Sequence, residues 1–152
     1  MKESRALRLL IVEDEPGDAR LMDLAMRKNG YAVELHGASD GHEALRFLRR
    51  ESAQFAAAAR PDMILLDLKM PGLSGLELLA ALKQDESLRA IPVVVITTSA
   101  LESDVAASYR FGAAGYVLKP TDINQFVAAI HKLGEYWFKL VRLPENPAGD
   151  AL

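Results

Sequence analysis

Residues 62–75 of this chain read DMILLDLKMPGLSG and decide the fold. The stretch contains four consecutive apolar residues, 63–66, which are followed at once by Asp67. A short apolar run bounded by turn residues is typical of a strand that is buried on both faces, as in a parallel sheet. Residues 70–75 contain the proline and glycines of a turn, and a helical pattern begins at Gly75. The sequence here therefore predicts a buried strand that ends in a carboxylate, then a turn and a helix.

Three other apolar runs have the same form, because each is followed directly by polar side chains. Residues 9–12 precede Glu13 and Asp14, residues 93–96 precede Thr97 and Thr98, and residues 116–118 precede Lys119. In an open α/β sheet, ligands bind in the crevice beyond the carboxyl ends of the strands. We therefore expect three carboxylates, a hydroxyl pair and an ammonium group to meet in one pocket. That combination suits a hard divalent cation together with a phosphoryl group.

Strand and helix patterns alternate five times along the chain. Strands are predicted over 8–13, 31–36, 63–66, 92–97 and 115–118, and helices over 17–29, 41–50, 75–84, 102–111 and from Thr121 or Asp122 onward. This alternation predicts a doubly wound α/β fold, a five-stranded parallel sheet with right-handed crossovers and helices on both faces. The order 2-1-3-4-5 is one of two common arrangements, and periodicity alone does not select it. The second strand alternates apolar and polar residues, so we expect it at an edge of the sheet.

The helical patterns also predict which side chains face the core. These are Leu21, Leu24, Ala25 and Lys28 in the first helix, with Asn29–Gly30 as its C-cap, Ala44, Leu45 and Leu48 in the second, and Ile123, Phe126, Val127, Ile130, Leu133 and Trp137 in the last. Ser74 and Glu77 have the spacing of a capping box for the third helix. Residues 51–60 leave two possibilities open, an extension of the second helix or an ordered surface loop.

The composition indicates one globular domain. The chain has 152 residues, of which 50% are hydrophobic, and no cysteine, so we expect neither disulfides nor thiol chemistry. It has no apolar stretch of about 18 residues, so we expect no membrane span and a cytoplasmic location. The net charge is −3 with Lys and Arg scattered among the acids, which predicts no nucleic-acid surface. The three histidines lack the spacing of metal ligands and are expected at the surface or on helix faces: His36, His42 and His131.

The residues grouped with Asp67 suit phosphoryl transfer. A carboxylate can act as a nucleophile and form an aspartyl phosphate, and the charge that develops on the phosphoryl oxygens needs cationic and hydrogen-bonding groups nearby. Lys119 and the Thr97 hydroxyl would supply two of these groups. Asp14 and Asp67 are the expected direct ligands of Mg²⁺, and Glu13 would act through water. The simpler alternatives are that the two acids after the first strand only solubilise a strand end, and that Lys119 points to solvent.

The polar residues that follow the four apolar runs, and the segments around them, together resemble those of a known family. The strings IVEDE, DMILLDLKMPGLSG, VVVITTSA and GAAGYVLKP are similar to the signatures of the receiver domain of two-component response regulators, the family of the chemotaxis response regulator. The intervals also match, with thirty residues from Asp67 to Thr97 and fifty-two from Asp67 to Lys119. The resemblance covers roughly residues 7–135. It implies the flavodoxin-like strand order 2-1-3-4-5, a receiver domain over residues 1–140, a tail over 141–152 and no output domain.

The resemblance also implies a function. The chain would accept a phosphoryl group from a histidine kinase in a Mg²⁺-dependent reaction, and it would catalyse only its own phosphotransfer and dephosphorylation rather than act as an enzyme on other substrates. The implied roles are the metal-binding acids Glu13 and Asp14, the Lys69 backbone carbonyl as a metal ligand, the phosphoacceptor Asp67, the switch hydroxyl Thr97, the switch aromatic Tyr116 and the phosphate-binding Lys119. We expect phosphorylation to draw Thr97 toward the phosphoryl oxygens and to let Tyr116 move inward.

A narrower resemblance concerns the kinase. VEDEPGDARLM (12–22), the long segment before the third strand and EYWFKLVRLP (135–144) are similar to single-domain regulators that partner phytochromes. This implies a histidine kinase with a bilin photosensor as the phosphodonor. The chain departs from the family pattern at Thr98, where alanine is often found. Lys69 and Ser99 lie where the family tunes dephosphorylation.

The end of the last helix predicts a surface for self-association. Tyr136, Trp137 and Phe138 are consecutive, and neighbours on a helix differ by about 100°, so they cannot all face the core of their own domain. We expect a homodimer through helix four, strand five and the last helix. The alternative is that Trp137 packs on the domain and its neighbours only cover the last helix.

Other classes of protein share some of these features. A phosphatase with an aspartate nucleophile, as in haloacid-dehalogenase-like hydrolases, needs a second aspartate two residues after the first, where this chain has Lys69, and usually a cap domain. A non-phosphorylated interaction module would be expected to have lost Asp67, Thr97 or Lys119. A flavodoxin relative that binds FMN would carry a phosphate loop rich in glycine and hydroxyl residues after the first strand. Each pattern differs from the one in this chain.

Overall fold

Five strands and five helices alternate in a computed structural model that describes residues 6–28 and 32–144. The strands are β1 (Leu7–Val12), β2 (Val33–Ala38), β3 (Met63–Leu66), β4 (Val93–Thr97) and β5 (Gly115–Leu118). The helices are α1 (Pro16–Arg27), α2 (Gly41–Arg49), α3 (Gly75–Gln84), α4 (Glu102–Arg110) and α5 (Ile123–Glu135). All neighbouring strands are parallel in the order β2-β1-β3-β4-β5. This confirms the predicted class, the strand order and the edge position of β2.

The core lies in two layers, one on each face of the sheet. Along β3, Met63 and Leu65 pack against α1 and α5, whereas Ile64 and Leu66 pack against α2 and α3. The alternation follows because successive side chains of a strand point to opposite faces. All four side chains are fully buried, and each such burial stabilises the fold by about 1.5–3 kcal/mol. The strand predicted from residues 63–66, β3, therefore lies at the centre of the core.

The inward face of α1 differs in part from the predicted one. Met22 and Met26 are buried, whereas Leu24 is 46% exposed and Lys28 is exposed at the C-cap. The prediction for Leu24 and Lys28 was wrong because two flexible methionines, which fill irregular gaps in cores, occupy the positions that contact the sheet. The predicted C-cap at residues 29–30 lies outside the described residues.

The inward face of α5 agrees with the prediction except at its first residue. Phe126, Ile130 and Leu133 are buried, but Ile123 is 64% exposed. Ile123 follows the N-cap Asp122. As the first residue of the helix, it lies at the end of the packed face and not within it, so its predicted core position was wrong.

The last helix continues beyond its α-helical part as one π-helical turn, Tyr136–Leu140. Trp137 and Phe138 pack against the α1–α5 side of the core, while Tyr136 and Leu140 are exposed. The three consecutive aromatic residues therefore lie in different environments. This agrees with their spacing, which predicted that they could not all face the core. Within residues 6–28 and 32–144, no helix is both long enough and apolar enough to span a lipid bilayer.

Residues 51–60 form a loop with one 3-10 turn, Ala53–Phe55, so they do not extend α2. Phe55 is buried and meets Phe47 of α2 edge to face, with 5.5 Å between the ring centroids. His36 stacks on Phe47 at 4.0 Å, and burial lowers the pKa of its imidazole. His36 is thus half-buried within β2, where its ring packs against Phe47 and Phe55.

The helix α3 begins directly against the backbone that follows Asp67. Its capping box is confirmed, because the Glu77 N–H donates to Ser74 Oγ at 3.2 Å and the Ser74 N–H donates to Glu77 Oε1 at 2.9 Å. The Gly75 N–H donates to the carbonyl oxygen of Leu68 at 2.9 Å. A Cβ atom on Gly75 would lie 2.4 Å from the carbonyl oxygen of Asp67 and 2.5 Å from Cα of Leu68. Only glycine therefore allows α3 to approach this backbone.

We expect Gly75→Ala to lower the free energy of unfolding by about 1–3 kcal/mol or more, since overpacking against rigid backbone cannot be relieved by a side-chain rotation. Urea unfolding measures this change. Gly37→Ala is the matched control, because an added Cβ there meets nothing within 4 Å. A Gly75→Ala protein as stable as the Gly37→Ala protein would contradict the close approach of α3.

Candidate functional site

The carboxyl ends of four strands bring the predicted polar residues to one edge of the sheet. Glu13 and Asp14 follow β1, Asp67 follows β3, Thr97 ends β4 and Lys119 follows β5. All of these residues are buried except Asp14, which is exposed. Because a buried charge is stable only when it is paired and hydrogen-bonded, the contacts among these groups determine what the site can do.

Lys119 lies at the centre of the site. Its Nζ is 2.6 Å from Glu13 Oε1, 2.9 Å from Asp18 Oδ2 and 3.0 Å from Asp67 Oδ2. Its backbone N–H donates to the carbonyl oxygen of Thr97 at 2.7 Å, which fixes the point at which the lysine leaves the sheet. The alternative in which Lys119 points to solvent is therefore excluded.

Asp18 is a member of this group that was not predicted from the sequence. It lies in the first turn of α1, which begins at Pro16, a short distance along the chain from the end of β1. An acid in the first turn of a helix is usually explained by the helix dipole, so its residue type gave no signal. Its position did, because a helix that starts so soon after β1 places its first turn beside the same crevice.

The contacts determine the charge of the buried groups. Burial raises the pKa of Glu13 to about 7; the Lys119 hydrogen bond opposes this and the Asp67 carboxylate adds to it. Burial alone would lower the pKa of Lys119, but its hydrogen bonds to Glu13, Asp18 and Asp67 outweigh burial and raise that pKa above its ordinary value. Lys119 is therefore an ammonium at neutral pH, and it compensates part of the negative charge around it.

Three of the carboxylates could hold a metal ion. One oxygen from each of Glu13, Asp14 and Asp67 lies within 4.8 Å of the other two. Carboxylate oxygens are the ligands that hard divalent cations prefer, and Mg²⁺ binds through one or two carboxylates while it retains several waters. The exposed Asp14 leaves one side of the group open to solvent. The residues present therefore fit Mg²⁺ or a similar ion.

The backbone around Asp67 holds its carboxylate in place. The Asp67 N–H donates to the carbonyl oxygen of Val12 at 3.0 Å, which joins the ends of β1 and β3. The Lys69 N–H donates to Asp67 Oδ1 at 3.2 Å, while Lys119 occupies the other carboxylate oxygen. The Lys69 side chain is exposed. The Lys69 amide and the Lys119 ammonium therefore already lie beside the Asp67 carboxylate, where negative charge would develop if Asp67 accepted a phosphoryl group.

The predicted switch residues lie on the α4 side of the site. Thr97 is fully buried, and its Oγ1 accepts the Ser99 N–H at 3.5 Å. The Tyr116 hydroxyl donates to the carbonyl oxygen of Ser99 at 2.7 Å, and its ring packs against the core. Tyr116 therefore already occupies an inward position in this structure. The Ser99 hydroxyl in turn donates to Asp104 in the first turn of α4.

Comparison with known proteins identifies the family. The response regulator receiver domain matches residues 9–131, so the chain belongs to that family. Response regulator Rcp1 of Synechocystis sp. is 36% identical over 136 residues, which cover 90% of this chain and 92% of that protein. The crystal structure of the phosphorylated cyanobacterial phytochrome response regulator RcpA has a TM-score of 0.89 at 36% identity, with 93% of this chain and 100% of that chain covered. The Mn²⁺-bound form of Rcp1 has a TM-score of 0.87 at 35% identity, with 91% and 99% covered.

We expect Asp14→Ala to weaken Mg²⁺ binding by at least about tenfold, since even residues that only support metal ligands commonly contribute that much. Titration calorimetry of the purified protein measures the affinity. Glu86→Ala removes another exposed acid, which follows α3, and serves as the control. An unchanged Mg²⁺ affinity in Asp14→Ala would remove Asp14 from the metal ligands.

Proposed function

We propose that this protein is a phosphorylation-dependent signalling switch in which Asp67 accepts a phosphoryl group from a kinase histidine in a Mg²⁺-dependent reaction. The observation that carries this proposal is the placement of the Lys119 ammonium 3.0 Å from Asp67 Oδ2 inside a buried group of acids. A purely structural aspartate at a strand end does not need such surroundings. The family membership supports the same function.

Each residue of the site has a part in this transfer. A carboxylate oxygen of Asp67 attacks phosphorus, and the bond from phosphorus to the donor nitrogen breaks, so that an acyl phosphate forms and the histidine is released. The Lys119 ammonium and the Lys69 amide would offset charge on the phosphoryl oxygens. Glu13, Asp14 and the Lys69 carbonyl are proposed to hold Mg²⁺ with Asp67, and the bound ion would compensate the remaining negative charge. Hydrolysis of the acyl phosphate would return the protein to its starting state.

Thr97 and Tyr116 are proposed to convert this chemistry into a structural change. A new phosphoryl group on Asp67 would offer the buried Thr97 hydroxyl, whose Oγ1 accepts the Ser99 N–H, a charged acceptor for its own proton. Ser99 lies two residues beyond Thr97 and receives the Tyr116 hydroxyl on its carbonyl oxygen. A movement of Thr97 would therefore shift Ser99, which contacts both Tyr116 and the start of α4. Because Tyr116 is already inward here, we propose that phosphorylation stabilises this position rather than creates it.

A phosphatase with an aspartate nucleophile is not supported by this site. The residue two positions after Asp67 is Lys69, which offers an amide N–H to Asp67 and has an exposed side chain. No second carboxylic acid therefore stands at that position to protonate a leaving group. The chain is better suited to hold a phosphoryl group on Asp67 than to turn over other phosphate esters.

The proposed phosphodonor is a histidine kinase with a phytochrome photosensor. The support is the similarity to Rcp1 and to the phytochrome response regulator RcpA, which extends over nine-tenths of the chain in each case. It includes the segment after α5, whose aromatic residues were part of the predicted resemblance. The reaction would take place in the cytoplasm, where a kinase finds ATP.

We also propose that the surface of α4, β5 and α5 forms a homodimer. Exposed large apolar side chains are concentrated on these elements and the turns beside them: Leu101, Tyr109, Phe111, Leu118, Ile123, Tyr136 and Leu140. Contiguous exposed apolar surface rimmed by polar residues marks interaction sites more often than a scattered distribution does. Tyrosine and other aromatic residues are common anchors of such interfaces.

We expect Asp67→Asn to abolish incorporation of phosphate from acetyl phosphate and from a histidine kinase, because a carboxamide is a poor nucleophile. The label in the wild type should be stable in acid and labile in base, as an acyl phosphate is. Asp23→Asn, an exposed change on α1 away from the site, should label like the wild type. Equal labelling of Asp67→Asn would show that another residue is the phosphoacceptor. Transfer that depends on the light state of a phytochrome kinase would test the partner separately.

We expect the wild type to sediment as a dimer at tens of micromolar and Leu118→Glu and Leu140→Glu to sediment as monomers. Both side chains are exposed, so the changes should leave the fold intact. Leu24→Glu is the matched control, since Leu24 is also exposed but lies on α1. If the wild type is monomeric both with and without beryllofluoride, which stands in for the phosphoryl group, this surface has a different partner.

A further inference from the structure

Among residues 6–28 and 32–144, Asp18 is the one acid in contact with Lys119 that does not belong to the candidate metal ligands. Its Oδ2 lies 2.9 Å from Lys119 Nζ. The three carboxylates whose oxygens lie within 4.8 Å of one another are Glu13, Asp14 and Asp67. The Asp18 side chain is 30% exposed, at the rim of the pocket, while that of Lys119 is 4% exposed. Lys119 therefore contacts two buried acids, Glu13 and Asp67, and one acid at the rim of the pocket, Asp18.

The three hydrogen bonds of Lys119 determine which of its partners can remain when a cation or a phosphoryl group is present. An ammonium has three N–H donors, and in Lys119 all three are directed to carboxylates, those of Glu13, Asp18 and Asp67. A cation that binds Glu13 and Asp67 competes with the lysine for the same two carboxylates. A phosphoryl group on Asp67 needs one of the donors for itself. Asp18 is then the partner that can stay on Lys119 throughout, because neither event requires its oxygens.

We propose that Asp18 is a positioning residue for Lys119. It holds the ammonium at the rim side of the pocket, so that the donors released by Glu13 and Asp67 point to the phosphoryl oxygens. The proposal rests on the proposed function of Asp67. It assigns Asp18 no contact with the phosphoryl group or the metal. The simple alternative is that Asp18 only favours the N-terminus of α1, in which case its removal would affect stability and leave Lys119 unchanged.

The first test observes Lys119 in the metal-free protein. The ¹⁵N–¹H signal of its ammonium should be sharp in the wild type, because three hydrogen bonds slow its exchange with water. In Asp18→Asn the signal should broaden, and in Asp18→Glu, which restores a carboxylate, it should recover in part. Asp23→Asn removes a charge from the same helix without contact to Lys119 and should leave the signal unchanged. An unaltered Lys119 signal in Asp18→Asn would overturn the proposal.

The second test measures beryllofluoride affinity at saturating Mg²⁺. Asp18→Asn should weaken binding by about tenfold, the scale of one charge-assisted hydrogen bond. In a Lys119→Ala background, the same change should alter the affinity by less than about twofold, because a residue that acts through Lys119 has nothing left to position. An equal loss in both backgrounds would overturn the proposal. A wild type that binds no beryllofluoride would instead refute the function of Asp67, while the ammonium signal would still report on the contact between Asp18 and Lys119.

Discussion

The buried ammonium of Lys119 is the interaction on which the rest of the site depends. Moving a charged group out of water costs several kcal/mol unless it is paired and fully hydrogen-bonded. Lys119 meets this requirement with three carboxylates that come from different parts of the chain: Glu13 after β1, Asp18 in α1 and Asp67 after β3. Its own strand, β5, lies beyond β4 from these elements. The lysine is therefore satisfied only when β1, β3, β4 and β5 are assembled side by side.

The Lys119 ammonium does not neutralise all of the negative charge in the site. One ammonium cannot compensate four neighbouring carboxylates. The pKa of Glu13 rises to about 7, mainly because the group is buried and in smaller part because the Asp67 carboxylate is near. A divalent cation bound by these acids would complement the lysine, since the lysine is covalently fixed and the cation would be exchangeable. Such a division would explain why acids and a base are buried together at this edge of the sheet. It would also explain why the open side of the site is the side of Asp14.

The sequence predicted the elements of this arrangement better than their contacts. Buried strands such as β3 and the capping box at Ser74 are local patterns, and local patterns can be recognised from residue type and spacing alone. The strand order came from the family resemblance, because periodicity does not encode which strands are neighbours. The inward face of α1 was misjudged at Leu24, since two methionines compete for the same position and only packing decides between them. Asp18 was missed for a related reason: its partner lies 101 residues away in the chain.

The two helices that flank the site are attached to it in different ways, and this difference indicates which of them can move. The first turn of α3 is fixed by its own capping box and by the close contact of Gly75 with the backbone after Asp67. At α4 the N-cap residue is Leu101, whose side chain cannot accept a hydrogen bond, so its N–H relies on Ser99 Oγ at 3.4 Å.

Ser99 also donates to Asp104 and accepts the Tyr116 hydroxyl. The backbone of the N-cap residue of α4 is therefore held by a loop residue that lies two positions from Thr97. If the proposed phosphoryl group shifted the Thr97 hydroxyl, the hydrogen bond from Leu101 to Ser99 would change, and one such neutral hydrogen bond contributes about 1 kcal/mol. That amount is small enough to be reversible and large enough to change the population of two positions of α4 several-fold. The proposed switch would therefore act on α4, whose N-cap residue depends on the loop after Thr97, and not on α3, which its capping box and Gly75 hold in place.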